Sequence, residues 1–158
     1  MQWRRNDTGS SFSATLGSNG PATYEQTVFV GDYTVLFNPN SASYQNVLPD
    51  MTTRLEFKLT VDASTAHNWD LETLTVGGEV TVNGSQMANN TQQYYENEPR
   101  GSIRFTNRDT GDSWSASVGS SGAAHYETLL FAGVYDISWE SNSESYQNVL
   151  PPQRSIEA

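Results

Sequence analysis

The sequence YQNVLP occupies residues 44–49 and occurs again, letter for letter, at residues 146–151. The two occurrences lie 102 residues apart, and the same displacement aligns residues 1–56 with residues 103–158 without a gap. Of the 56 aligned pairs, 24 are identical. A repeat of this length is a whole folding unit. The sequence therefore predicts a tandem repeat of about 102 residues, with about one and a half copies in the 158-residue chain.

The amino-acid composition favours β-structure over helix. Charged residues make up 16% of the chain, whereas an average soluble domain has about 25%. Ser, Thr, Asn and Gln fill the difference, and Ser, Thr and Asn compete with the backbone for helical hydrogen bonds. The chain has no cysteine, so disulfides and thiolate metal ligands are excluded.

The charge balance excludes two classes of partner. The formal net charge is −10, and Lys58 is the sole lysine. Nucleic acids and anionic membrane surfaces bind clustered Lys and Arg, so we expect neither as a partner. No apolar run reaches the ~20 residues that a membrane helix needs, and we expect no membrane insertion. The polar residues after Arg5 do not form the apolar segment of a signal peptide.

Alternation of apolar and polar residues with period two is the main local pattern. In residues 54–61 it predicts a strand with one apolar face, made of Leu55, Phe57, Leu59 and Val61. Aromatic residues at aligned positions are predicted to be core: Trp3 and Phe105, Phe12 and Trp114, Phe37 and Trp139. Glycine-rich turns separate the short strands, and no helical pattern occurs. These features predict an all-β fold of antiparallel β-sandwiches.

The repeat also predicts the domain organisation. We expect a partial first sandwich at residues 1–62, a connector at 63–72, and a second sandwich at 73–158 that lacks its last strand. Because Met1 aligns with Ile103, the first copy lacks a counterpart of residues 73–102. Strand edges without a partner bind other strands. Two alternatives stay open: the partial copies complete one another or chains associate through these edges, or the chain is an excerpt of a longer repeat protein.

Three segments resemble a known fold: LTVGGEVTVNG at 74–84, GSIRFTNRDTG at 101–111 and GVYDI at 133–137. They look like the prealbumin-like sandwich, which includes carboxypeptidase regulatory-like domains and tandem repeats of exported bacterial surface proteins. The resemblance implies antiparallel Greek-key β-sandwiches in an extracellular or cell-surface protein. It also implies a structural or binding role without catalysis. The expected partners are neighbouring repeats or further copies of the chain, in a homo-oligomer or filament.

Two Asp-Thr-Gly triplets, at residues 7–9 and 109–111, are a candidate for paired catalytic aspartates. Polar residues flank both triplets, which favours hairpin turns in which Gly supplies the positive φ. We therefore assign no catalytic residue. Asp109 and Asp112 are candidate ligands for calcium, and no other cofactor is expected.

The candidate binding residues lie in two loops. Residues 86–99 form a long polar segment that occurs once, with Tyr94 and Tyr95 as its contact residues. The repeated loop offers Tyr44, Gln45, Asn46, Tyr146, Gln147 and Asn148, although Tyr plugging one end of the sandwich is the favoured interpretation. The predicted function is a non-enzymatic structural module that self-associates through open strand edges. The alternative is a carbohydrate-binding or peptide-binding β-sandwich module.

Overall fold

The computed structural model describes residues 1–17, 22–39, 48–89 and 97–142, together with the backbone of residues 153–156. This part of the chain is all-β, and its paired strands are all antiparallel, as in a β-sandwich. The chain divides into two compact units, Met1–Glu72 and Thr73–Ala158. Within the described ranges no helix is long and apolar enough to cross a membrane.

Unit one contains a four-stranded sheet in the order β2-β1-β3-β4. Its strands are β1 (Gln2–Arg5), β2 (Ser11–Ser13), β3 (Gly31–Phe37) and β4 (Thr53–Val61). A core cluster of Trp3, Tyr33, Val35 and Leu59 lies on one face of this sheet. Alternation along β3 places Tyr33, Val35 and Phe37 on the same buried side, because successive side chains of a strand point to opposite faces.

Unit two contains a four-stranded sheet in the order β12-β11-β8-β9, a two-stranded sheet β10-β5 and a small hairpin β6-β7. Its strands are β5 (Thr73–Glu79), β6 (Thr81–Val82), β7 (Ser85–Gln86), β8 (Gly101–Asn107), β9 (Ser113–Val118), β10 (His125–Phe131), β11 (Tyr135–Ser141) and β12 (Gln153–Ile156). Buried apolar side chains from both larger sheets form its core: Ile103, Phe105, Ala116, Val118, Leu130, Phe131 and Trp139.

Two strand pairings of each four-stranded sheet follow the 102-residue displacement. Trp3 of β1 pairs with Val35 of β3, and the aligned Phe105 of β8 pairs with Ile137 of β11. The hairpins β1-β2 and β8-β9 also share one register under this displacement. Aligned residues of these strands therefore have equivalent pairing partners, whereas the β3-β4 and β11-β12 ladders differ in register.

Both Asp-Thr-Gly triplets lie in hairpin turns, as their polar neighbours predict. Gly9 has φ +71° and Gly111 has φ +77°, a backbone conformation that glycine adopts without steric cost. The N–H of Gly9 donates to the carbonyl of Arg5 at 2.8 Å, and the N–H of Gly111 donates to the carbonyl of Asn107 at the same distance. The triplets connect β1 to β2 and β8 to β9.

The predicted aromatic core is largely present. Trp3, Phe105, Phe37 and Trp139 are buried, whereas Phe12 and Trp114 are half-buried. The prediction for residues 54–61 is wrong at one position, because Phe57 is 68% exposed. The register between β3 and β4 shifts on either side of Val35, so the regular alternation of β4 does not continue past this irregularity. Arg54 instead lies over the Phe57 ring, 5.2 Å from its centroid.

Arg100 is a fully buried cation just before β8. Within the described residues, its guanidinium donates only to backbone carbonyls. These belong to Met87 (3.0 Å), Ala88 (3.3 Å), Gly119, Ser121 and Gly122 (3.2 Å). A buried charge is tolerated only when its hydrogen-bonding groups are satisfied. Arg100 therefore fixes the segment after β7 against the turn between β9 and β10.

We expect Arg100→Met to destabilise unit two by about 3 kcal/mol or more, because several buried carbonyls lose a charged donor at once. The matched control is Arg104→Met. Arg104 is partly exposed and forms an ion pair with Glu140 at 2.9 Å, an interaction worth about 0–1 kcal/mol at a surface. Urea unfolding followed by near-UV circular dichroism measures both changes, and equal losses would contradict the assigned role of Arg100.

Candidate functional site

Residues 22–30 of unit one form an edge without a ladder partner among the described residues, and we call them the open edge. The displacement of 102 aligns them with residues 124–132, which contain β10. In unit two, β10 pairs along its whole length with β5. In unit one, by contrast, the open edge pairs in a ladder with no described segment of the chain.

The same residue type is buried in unit two and exposed at the aligned position of unit one. Phe131 of β10 is 2% exposed, whereas the aligned Phe29 is 69% exposed. Both residues accept an equivalent hydrogen bond: Tyr135 Oη donates to the carbonyl of Phe131 at 2.8 Å, and Tyr33 Oη donates to the carbonyl of Phe29 at 2.7 Å. The backbone is thus held in the same way at both positions. The difference in exposure accompanies the difference in strand pairing.

The segment after β4 covers one end of the open edge. Tyr24 Oη donates to the carbonyl of His67 at 2.6 Å, and the Tyr24 ring stacks on Trp69 with centroids 5.6 Å apart. On its other side, the Tyr24 ring lies 5.2 Å from the ring of Trp3. Burial raises the pKa of the Tyr24 hydroxyl above the ordinary value for tyrosine.

A groove of about 440 Å³ runs beside the open edge. Residues 24–28 and Val30 form one wall. The remainder comes from Trp3, Leu59, Val61, residues 63–65, His67 and Trp69. Glu25 is the only carboxylate in this lining, and the lining contains no lysine or arginine. The groove has a mixed polar and apolar lining. A groove of this kind beside an unpaired strand edge suits an extended polypeptide, which binds through backbone hydrogen bonds and alternate side chains.

The predicted metal ligands lie in the turn between β8 and β9. Asn107 shapes this turn, because its Oδ1 accepts from the backbone N–H groups of Asp109 at 2.8 Å and Thr110 at 3.2 Å. Within the described residues, no group of three or more His, Cys, Asp or Glu side chains is placed to hold a metal ion. Calcium binding by Asp109 and Asp112 stays a prediction.

The predicted binding residues cannot be assigned to a site. Tyr94 and Tyr95 lie outside the described residues. The same is true of the repeated loop residues Tyr44, Gln45, Asn46, Tyr146, Gln147 and Asn148. Carbohydrate or peptide binding by these side chains stays a prediction.

Comparisons with known proteins found no match among protein-family models, curated proteins or solved structures.

The aligned residues of the two copies indicate where the open edge lies, although the motifs considered above do not point to it. Val28-Phe29-Val30 aligns with Leu130-Phe131-Ala132, so the first copy keeps the apolar residues of β10. The structure adds that these residues have no ladder partner within the described ranges, which the sequence pattern alone does not show.

We expect Phe131→Ala to destabilise unit two by about 3–5 kcal/mol, because it removes a buried aromatic side chain. The same substitution at the aligned position, Phe29→Ala, should cost less than about 1 kcal/mol. Hydrogen exchange measured by mass spectrometry reports the opening of each unit separately. A loss of protection in unit one after Phe29→Ala, as large as that in unit two after Phe131→Ala, would show that Phe29 is buried in solution.

Proposed function

We propose that this chain is a non-enzymatic structural module of an extracellular or cell-surface repeat protein, and that it self-associates through open strand edges. In this proposal the units are Greek-key sandwiches of the prealbumin-like type, repeated with a period of about 102 residues. Unit two has the complete pairing of β5 with β10, and unit one lacks it. The partners are further copies of the chain or neighbouring repeats.

The observation that supports this proposal is the exposed open edge. Phe29 and Val30 are both more than half exposed, at 69% and 66%, and the backbone groups beside them have no ladder partner within the described residues. Unpaired strand edges are templates for pairing with another chain. Covering two large apolar side chains adds a favourable free energy of about 1.5–3 kcal/mol for each one that becomes fully buried.

The net charge of −10 opposes indiscriminate aggregation. Copies of a strongly acidic chain repel one another, so only contacts with good pairing overcome the repulsion. Salt screens this repulsion over a distance of roughly 8–10 Å at physiological ionic strength. Self-association should therefore strengthen as salt is added, which distinguishes it from association through ion pairs.

We expect sedimentation velocity to show reversible association of the chain as its concentration rises, with a stronger tendency at higher salt. Phe29→Lys should abolish this association, because it places a charge on the open edge. The matched control is Val134→Lys, which changes a side chain of similar exposure, 63%, in unit two and should leave association unchanged. A chain that stays monomeric at every concentration and salt condition would contradict self-association.

A further inference from the structure

We infer that the segment after β4 is an autoinhibitory strap, which competes with other copies of the chain for the open edge. The strap is residues 64–71. It closes the Tyr24 end of the open edge and leaves residues 26–30 to pair with another copy. The inference rests on the proposed function and adds to it the regulation of that same edge. Release of the strap extends the pairing surface to the whole open edge.

The strap is an extended segment that is attached through alternate side chains. It forms no ladder with another described segment. His67, Trp69 and Leu71 are half-buried, whereas Asn68 and Asp70 between them are exposed. Successive side chains of an extended chain point to opposite sides, so the three half-buried residues share the side that faces the unit.

Three rings hold the strap on the open edge. Tyr24 Oη donates to the carbonyl of His67 at 2.6 Å, and the Tyr24 ring stacks on Trp69. The His67 ring stacks on Trp69 in turn, with centroids 5.7 Å apart and an interplanar angle of 22°. Trp69 also packs against the core cluster of unit one. The attachment therefore depends on Trp69 and on the hydroxyl of Tyr24.

Unit two shows that a paired strand needs the place that the strap occupies. Gly78 of β5 pairs with Tyr126 of β10. A Cβ atom added at Gly78 would lie 3.3 Å from Tyr126 Oη, so the tyrosine side chain lies directly against the partner strand. The aligned Tyr24 lies against Trp69 of the strap instead. A strand that pairs at Tyr24 as β5 pairs at Tyr126 must therefore displace the strap.

Two cavities border the strap at its aromatic contacts. The groove of about 440 Å³ and a smaller hollow of about 150 Å³ are both lined by Tyr24, His67 and Trp69. Five of the eight strap residues are exposed. Segments with few buried apolar contacts open at a lower free energy than the core does. The strap can therefore open while the sheet β2-β1-β3-β4 stays formed.

The other end of the open edge suits pairing between acidic chains. Residues 26–30 have the sequence Gln-Thr-Val-Phe-Val and contain no charged side chain. Phe29 and Val30 are the exposed apolar residues at this end. Two copies with a net charge of −10 repel each other least where the paired segments are uncharged. With the strap closed, we expect pairing to be confined to these five residues.

Opening of the strap sets the affinity of full-length pairing. Pairing along all of residues 22–30 requires the open state, so the apparent dissociation constant is the intrinsic constant divided by the open fraction. A variant that raises a small open fraction tenfold therefore lowers the apparent dissociation constant tenfold.

The test compares three variants of the full chain by sedimentation velocity. We expect Trp69→Ala to lower the dissociation constant for self-association by at least about tenfold, because it removes the ring that anchors the strap. Tyr24→Phe keeps the ring and removes one hydrogen bond, and should lower the constant by about two- to tenfold. The matched control is Asn68→Ala, which truncates an exposed strap residue and should leave the constant unchanged.

Two further measurements connect the gain to the strap and to the open edge. Backbone amide NMR signals of residues 64–71 should shift toward random-coil values in Trp69→Ala, while those of β1 to β4 keep their positions. If Trp69→Ala disturbs the sheet signals, Tyr24→Phe decides the result. Adding Phe29→Lys to Trp69→Ala should abolish the gain, because the gain acts through the open edge.

Three results would overturn the inference: a released strap without tighter association, a gain that survives Phe29→Lys, and an equal gain in Asn68→Ala. The parent chain separates this outcome from the proposed function. If the parent associates and the strap variants associate no better, only the strap is contradicted. If the parent stays monomeric and Trp69→Ala associates, only self-association of the intact chain is contradicted. If neither associates, both ideas fail.

Discussion

Backbone pairing between β5 and β10 is the constraint on which the core of unit two depends. A strand keeps its side chains buried only when its backbone groups have partners, because unpaired groups retain water around them. With β5 in place, Leu130 and Phe131 are buried. No described strand pairs with the aligned residues of unit one, and there the aligned Phe29 lies at the surface. The two aligned phenylalanines therefore differ in exposure where the two units differ in strand pairing.

Unit one keeps its sheet despite this difference, because other contacts hold the open edge in position. Tyr33 binds the carbonyl of Phe29, and Phe29 packs edge-on against Phe12 with ring centroids 6.2 Å apart. At the other end, Tyr24 is stacked against Trp69 and bonded to His67. These contacts fix both ends of the segment through side chains and leave its backbone groups available. An edge that is already ordered loses little conformational entropy when it pairs with another strand.

The sequence was sufficient to predict an all-β fold, two of the three buried aromatic pairs and the two hairpin turns, because each depends on local alternation or on one glycine. It was not sufficient to predict the exposure of Phe57, which depends on register shifts between β3 and β4. Arg100 was also missed. The acceptors of its guanidinium are backbone carbonyls of two separate segments. Every residue has a backbone carbonyl, so the sequence does not show which carbonyls accept these hydrogen bonds. Open edges were predicted in general, but locating one required knowing which strand pairs with β5.

The strand edges of unit one differ in the side chains that accompany them. β4 is the edge strand of its sheet, and it carries exposed Glu56 and Lys58 and a register irregularity, features that discourage pairing with another chain. Lys58 is also held in place by an ion pair with Asp32 at 3.1 Å. The open edge carries one charged residue, the exposed Glu25. Residues 22–30 contain no lysine, arginine or proline, and they end in two exposed apolar side chains. An edge protected in one place and unprotected in another, within the same small unit, is consistent with a surface that is covered by a partner strand.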